Sequence, residues 1–235
     1  MNHTEFSSEF DVLYNNIMSN AAPGLDEYEK SVLLTKAQEE IVKNHYNPLG
    51  NKYREGFDDS PKREIDFSSL MKVEAGTLVD VPPVTLDSRA KVYGLPSDLF
   101  ILVNETLRYG TEVKQVIPLS YDEYTRLMSR PFKGPLKYQA WRIITTSSDS
   151  TNVEIISDIT DADREYIVRY IRRPSPIILT DLSEYNETID GISDISECEL
   201  NPILHQEILQ RAVELAKVFY QGDIQASVEL GQRSE

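Results

Sequence analysis

Apolar positions follow a helical rhythm at both ends of the chain and an alternating one in the middle. Phe6, Phe10, Leu13 and Ile17 form one stripe on a short helix within residues 5–20. The stretch NAAPGLDEYEK interrupts it, and Asp26 with Glu29 has the spacing of a capping box that opens a second helix. Tyr28, Val32, Ala37, Ile41 and His45 carry that helix toward Asn47-Pro48. With a short connection between them, the two helices are expected to pack as an antiparallel hairpin. NPLGNKYREGFDDSPK then reads as a polar loop. REIDFSSLMKV fits either a short helix or a strand leading out of it.

From about Leu78 the pattern changes to short extended segments punctuated by turns. A strand is expected over about 99–109 and another over Val113–Pro118. Ser120 and Glu123 start a short helix, YDEYTRLM. AWRIITT, NVEIIS and EYIVRYIRR are three further strands. EYNETIDGISDISECELNP reads as an acidic, solvated loop. Asn201 caps and Pro202 opens a last helix, with Leu204, Ile208, Ala212, Leu215 and Phe219 along it and Gly222 closing it. The residues after Gly222 show no stripe and read as a mobile or partner-ordered tail. The order gives an α+β fold: N-terminal helical hairpin, central antiparallel β-sandwich-like unit, long C-terminal helix and tail. The expected division is residues 1–72 (helical), 73–180 (β unit with one short helix) and 181–235 (acidic loop, helix completing the helical bundle, tail).

Composition narrows the function classes more than the fold. At 235 residues the chain buries a core without disulfide or metal staples, and its single cysteine, Cys198, forms no intrachain disulfide. No apolar run approaches the roughly 20 residues that span a bilayer, so no membrane partner is expected. MNHTEFSSEF lacks the form of a secretory signal. A formal net charge of -15 argues against a broad nucleic-acid-binding surface.

Candidate chemistry is sparse. No dinucleotide, P-loop, zinc-protease or esterase signature occurs. Cys198 and His205 lack the partners of a zinc site, and Glu197 and Glu199 flank the thiol with charge that suppresses its thiolate. Asp190, Asp194, Glu197 and Glu199 supply oxygen ligands at short intervals but miss the EF-hand spacing. Asp158, Asp161 and Asp163 read as a turn. No catalytic, cofactor-binding or metal residue is assigned, and the chain reads as a non-enzyme.

Against this acidity, REYIVRYIRRPSPIIL concentrates four arginines on one extended segment. Ile167, Arg169, Ile171 and Arg173 share one face, Val168, Tyr170 and Arg172 the other. Neither face is purely apolar, which places the strand at a sheet edge or rim. There the arginines either discourage aggregation or anchor carboxylates of an acidic partner, including another copy of the chain.

Five segments occur together in a familiar order: PGLDEYEKSVLLTKAQEEIVKNHYNP, VYGLPSDLFILVNETLRYG, VIPLSYDEYTRLMSRPFKGP with AWRI, YIVRYIRRPSPIIL, and CELNPILHQEILQRAVELAK. From about Leu25 to Lys217 the chain resembles the head–tail connector (adaptor, or neck ring) proteins of tailed bacteriophages, those of crAss-like, podovirus-type phages in particular. The resemblance implies a virion structural protein of the neck, assembled in the host cytoplasm. It implies a ring, typically of twelve copies, that sits beneath the portal protein and meets further neck or tail proteins. Duplex DNA passes through such a ring without tight binding, and no cofactor is implied. Carried over, 25–46 and 203–220 become ring-forming helices, with Tyr28, Val32, Ile208 and Phe219 as candidate contacts. Residues 164–174, with Arg169, Arg172 and Arg173, become a framework strand at a subunit or tail-side contact. Two other readings compete: a metal-dependent hydrolase using the acidic loop, and a monomeric binding module of the cytoplasm.

Overall fold

The computed structural model describes residues 1–17, 24–47, 61–79, 85–130, 134–147, 150–158 and 163–221. The chain divides into two compact units, one of residues 1–70 and 174–235, the other of 71–173.

The first unit is helical. α1 (His3–Ile17) buries Phe6, Phe10 and Tyr14. α2 (Glu27–Tyr46) opens on the expected capping box: Asp26 accepts from Glu29 N, and Glu29 accepts from Asp26 N. α5 (Pro202–Gln221) begins where Asn201 Oδ1 accepts from Ile203 N. α2 and α5 run antiparallel, as three cross-pairs show: His45 with Glu207, Glu40 with Arg211, and Lys36 over the Phe219 ring. Leu34, Ala37, Val42, Ile208, Leu209 and Ala212 fill this unit's interior. α1 meets the start of α2 through Ser7 and Asp11, which bind Glu27 and Lys30. It meets α5 where Phe6 packs against the His205 ring. The bundle therefore joins the two ends of the chain. Gly222 and the tail after it lie outside the described residues, as do most of 47–62 and Asp161.

REIDFSSLMKV resolves as both of its alternatives in succession. α3 (Pro61–Asp66) ends in a turn, and β1 (Met71–Ala75) follows.

The second unit is one eight-stranded sheet rather than a sandwich of two. Its further strands are β2 (Thr77–Leu78), β3 (Ala90–Gly94), β4 (Leu99–Tyr109), β5 (Glu112–Pro118), β6 (Gln139–Ser147), β7 (Ser150–Ile156) and β8 (Glu165–Arg172). The order is β1-β8-β4-β5-β6-β7-β3-β2. β1 and β2 stand at opposite ends of that order yet are separated in the chain by Gly76 alone. Residues 71–78 thus pair with β8 through their first half and with β3 through their second, and the sheet closes on itself. Gly76 permits the corner. Its N–H donates to Tyr166 O, and a Cβ there would lie 2.6 Å from Tyr166 Cδ1.

All pairings are antiparallel except β5 with β6. A parallel pair needs a crossover, and α4 (Tyr121–Met128), capped by Ser120 and Glu123 as expected, supplies it. α4 lies outside the sheet, where Tyr124 and Leu127 pack with Trp141, Ile143 and Ile156. Tyr93, Leu107, Val116, Ala140, Val153, Ile155, Tyr166, Val168 and Tyr170 fill the inside.

Candidate assembly surfaces

The arginine-rich segment is the interior-lining strand β8, paired on one side with β1 and on the other with β4. The edge placement expected from its mixed faces is therefore corrected. Tyr166, Val168 and Tyr170 point inward and are wholly buried, so that face is apolar after all. Arg172, the charged residue of that face, stands half-buried at the strand's end, and the tyrosine hydroxyls are satisfied: Tyr166 donates to Glu105, and Tyr170 donates to Asp98 at 2.8 Å. Burial raises the pKa of both phenols and that of Glu105, with Tyr166 and Arg142 opposing it at the carboxylate.

The four arginines do not form one surface. Arg164 is buried, and its guanidinium donates to Arg89 O. Arg172 is half-buried, while Arg169 and Arg173 are exposed. Arg173 N donates to Asp98 O, next to the Lys72–Asp98 ion pair at 2.6 Å. Arg169 stands in register between Val73 of β1 and Asn104 of β4 on the outer face of the sheet.

The acidic segment is an ordered arm, not a solvated loop. Ile178, Leu182 and Ile189 form a buried cluster, against which Tyr28 and Val32 of α2 pack. Ile178 pairs with Ser196, and Ile189 with Ile192 around Asp190-Gly191, both at positive φ. Tyr185, Ile192 and Ile195 remain exposed on the outer side. Among the described residues no group of three or more His, Cys, Asp or Glu side chains is placed to hold a metal ion.

Cys198 and His205 each have separate partners. The thiol donates to Gln38 Oε1, and burial pushes its pKa up to about 11. The neighbouring Glu199, whose carboxylate accepts from Ser175 N, raises it too, but less than burial does. The His205 Nε2 donates to Leu200 O, and burial lowers the ring's pKa. A groove of about 480 Å³ on the β unit is lined by Leu86, Leu119, Tyr121, Ile143, Ile144 and Glu154, among others. Its carboxylate, Glu154, is itself buried and accepts from the Leu86 and Asp87 N–H groups. No helix among the described residues is long and apolar enough to cross a membrane.

Of the helical contact candidates, Ile208 is wholly buried within its own chain and offers no surface to a neighbour. Tyr28 and Val32 are half-buried beneath the arm. Phe219 is 66% exposed, with Lys36 Nζ 5.5 Å from its ring centre.

The model of the family described as phage tail ring protein 3/4 matches residues 1–227. The chain belongs to that family of bacteriophage ring proteins. It is 67% identical over 238 residues, the full length of both chains, to "Ring protein 4/5" of Bacteroides phage crAss001. It is also 33% identical over 225 residues to "Ring protein 3" of the same phage, across 92% of this chain and 95% of that one. Membership makes the ring-family protein a structural component of a bacteriophage.

Proposed function

We propose that the chain is a head–tail connector whose copies form a ring beneath the portal, extend the DNA channel and link the capsid to the tail. The observation that carries this reading is the family match over residues 1–227. The structure supports it through what its surfaces offer. Buried charged side chains such as Lys30, with Asp11 and Glu27, and Glu154, with backbone N–H groups, are taken up by structural hydrogen bonds and ion pairs. What is left for partners is shape, exposed apolar side chains and charge.

Arg169, Arg173 and Phe219 are the contact candidates that reach the surface, and neighbouring copies or a further neck or tail protein would meet them there. Duplex DNA would cross the ring without tight binding. A charge of -15 per copy, repeated around a channel, repels phosphates within roughly 10 Å at ordinary salt.

Locating the protein in purified particles and mixing it with the portal tests this. A position between capsid and tail, several copies per particle and a portal complex are expected. One copy per particle, or a position outside the neck, would refute it. Assembled rings should also show no salt-sensitive affinity for duplex DNA, and a DNA complex that survives physiological salt would remove the sliding-channel part of the proposal.

A further inference from the structure

Two exposed patches of opposite chemistry remain once the folding contacts of each unit are accounted for. The first is the outer face of β1, β8 and β4. Val73, Arg169 and Asn104 form one row there, and Ala75, Ile167 and Thr106 the next. Val73 is 64% exposed, Arg169 and Asn104 are exposed, and α4 covers different strands, lying over β6 and β7. Among the described residues the Arg169 guanidinium pairs with no carboxylate. The second patch is the outer side of the acidic arm. Tyr185, Ile192 and Ile195 are exposed there among Glu184, Asp194 and Glu197. No lysine or arginine occurs between Arg173 and Arg211.

From these we infer that the arm of one copy docks, head to tail, on the β1-β8-β4 face of the next, with its acids around Arg169 and its isoleucines against Val73 and Ile167. The inference rests on the ring reading and names the surfaces that would build the ring.

Charge decides the occupant. At -15 per chain, most ways of bringing two copies together oppose like charges. A contact between copies therefore has to set acid against base, and these two patches do so while burying apolar side chains of both. A basic partner would suit the arm but be repelled by Arg169, and a nucleic acid would suit Arg169 but be repelled by the arm. A second copy satisfies both patches at once. Because they are different surfaces, the contact is heterologous: each copy uses its arm on one neighbour and its sheet on the other, the arrangement from which rings close. The Asp190-Gly191 turn and the Ile178–Ser196 bridge already hold the arm in shape, so docking orders little chain.

The test uses the full chain reconstituted with the portal, with native mass and copy number read first. Absence of multiple copies in the parent would sink the ring reading and this inference with it. If the parent assembles, Arg169→Glu and Asp194→Arg are each expected to raise the concentration for half-assembly by about tenfold. Both changes in one chain should restore it to within about threefold. Both positions are exposed, so melting curves should match the parent and separate lost docking from lost folding. A second reading pairs Val73→Cys with Ile195→Cys under mild oxidation. A ladder of disulfide-linked copies is expected from the double variant and from neither single one. Charge variants that assemble like the parent, or a ring in which both single changes weaken assembly with no rescue and no ladder, would overturn the inference and leave the ring standing.

Discussion

Gly76→Ala places a single methyl group at the corner where the sheet closes. The new Cβ would stand 2.6 Å from Tyr166 Cδ1, 3.3 Å from Tyr166 Cε1 and 3.3 Å from Tyr93 Cβ. Ordinary carbon contacts are about 3.5–4.0 Å, so one neighbour has to move by roughly 1 Å. Tyr166 has little freedom to do so, because its ring is wholly buried, lies 5.4 Å from that of Tyr93, and ends in a hydroxyl held by Glu105. Overpacking of this kind costs about 2–3 kcal/mol, toward the upper end for a forced methyl. For a unit of roughly a hundred residues each kcal/mol shifts the midpoint by about 4–8 °C, so a loss of about 10–20 °C is expected. The fluorescence of Trp141, the single tryptophan, reports on the β unit without contribution from the helical one. Tyr166→Leu should itself destabilise by leaving Glu105 short of a partner. Combined with Gly76→Ala, the two should be less than additive by about 1–2 kcal/mol, since the smaller side chain frees the space. A Gly76→Ala midpoint within about 2 °C of the parent would refute the tight corner.

Ile208→Ala should cost about 2–5 kcal/mol by chemical denaturation, whereas Phe219→Ala should stay within about 0.5 kcal/mol. Equal losses would mean that the inner and outer faces of α5 are misassigned. Alkylation of Cys198 should be slow at pH 8, with roughly one thiol in a thousand ionised, and should climb about tenfold per pH unit toward the thiol's pKa of about 11. A rate that levels off near pH 9 would contradict its burial. The pKa of His205 is lowered in the folded chain, so in acid the unfolded form binds a proton that the folded form resists. Its contribution to stability is present above about pH 6.5 and lost as pH falls toward the folded value. Denaturant midpoints at pH 7.5 and 5.5 should therefore differ less in His205→Gln than in the parent, and an unchanged difference would assign the dependence to other groups.

Local structure was legible wherever a side chain's chemistry acts on its own backbone. Asp26 with Glu29, Ser120 with Glu123, and Asn201 before Pro202 each mark a helix start that the structure reproduces. The strand expected at 99–109 is β4 to the residue. What could not be read was pairing between distant segments. Nothing local in Met71–Leu78 says that it joins the two ends of a sheet, because closure depends on partners about a hundred residues away in β8. The hairpin expected from a short connection gave way to pairing of α2 with α5, since Leu34, Ala37 and Val42 find their apolar counterpart in Ile208, Leu209 and Ala212. On β8 the charge of Arg172 pointed to a rim, yet it sits at the strand's end, and Tyr166, Val168 and Tyr170 before it are wholly buried, with Glu105 and Asp98 taking up the tyrosine hydroxyls. Among the surface candidates, alternation rightly put Arg169 opposite Tyr170, but the burial of Ile208 needed the third dimension.

Joining both ends of the sheet through Met71–Leu78 has a consequence for life in a crowded particle. Open strands invite any neighbour to add itself through main-chain hydrogen bonds, which are blind to sequence. A sheet that has used its own borders withdraws that invitation. Identical molecules can then be concentrated side by side during assembly without zipping into fibres, and their choice of neighbour falls to the side chains displayed on the outside.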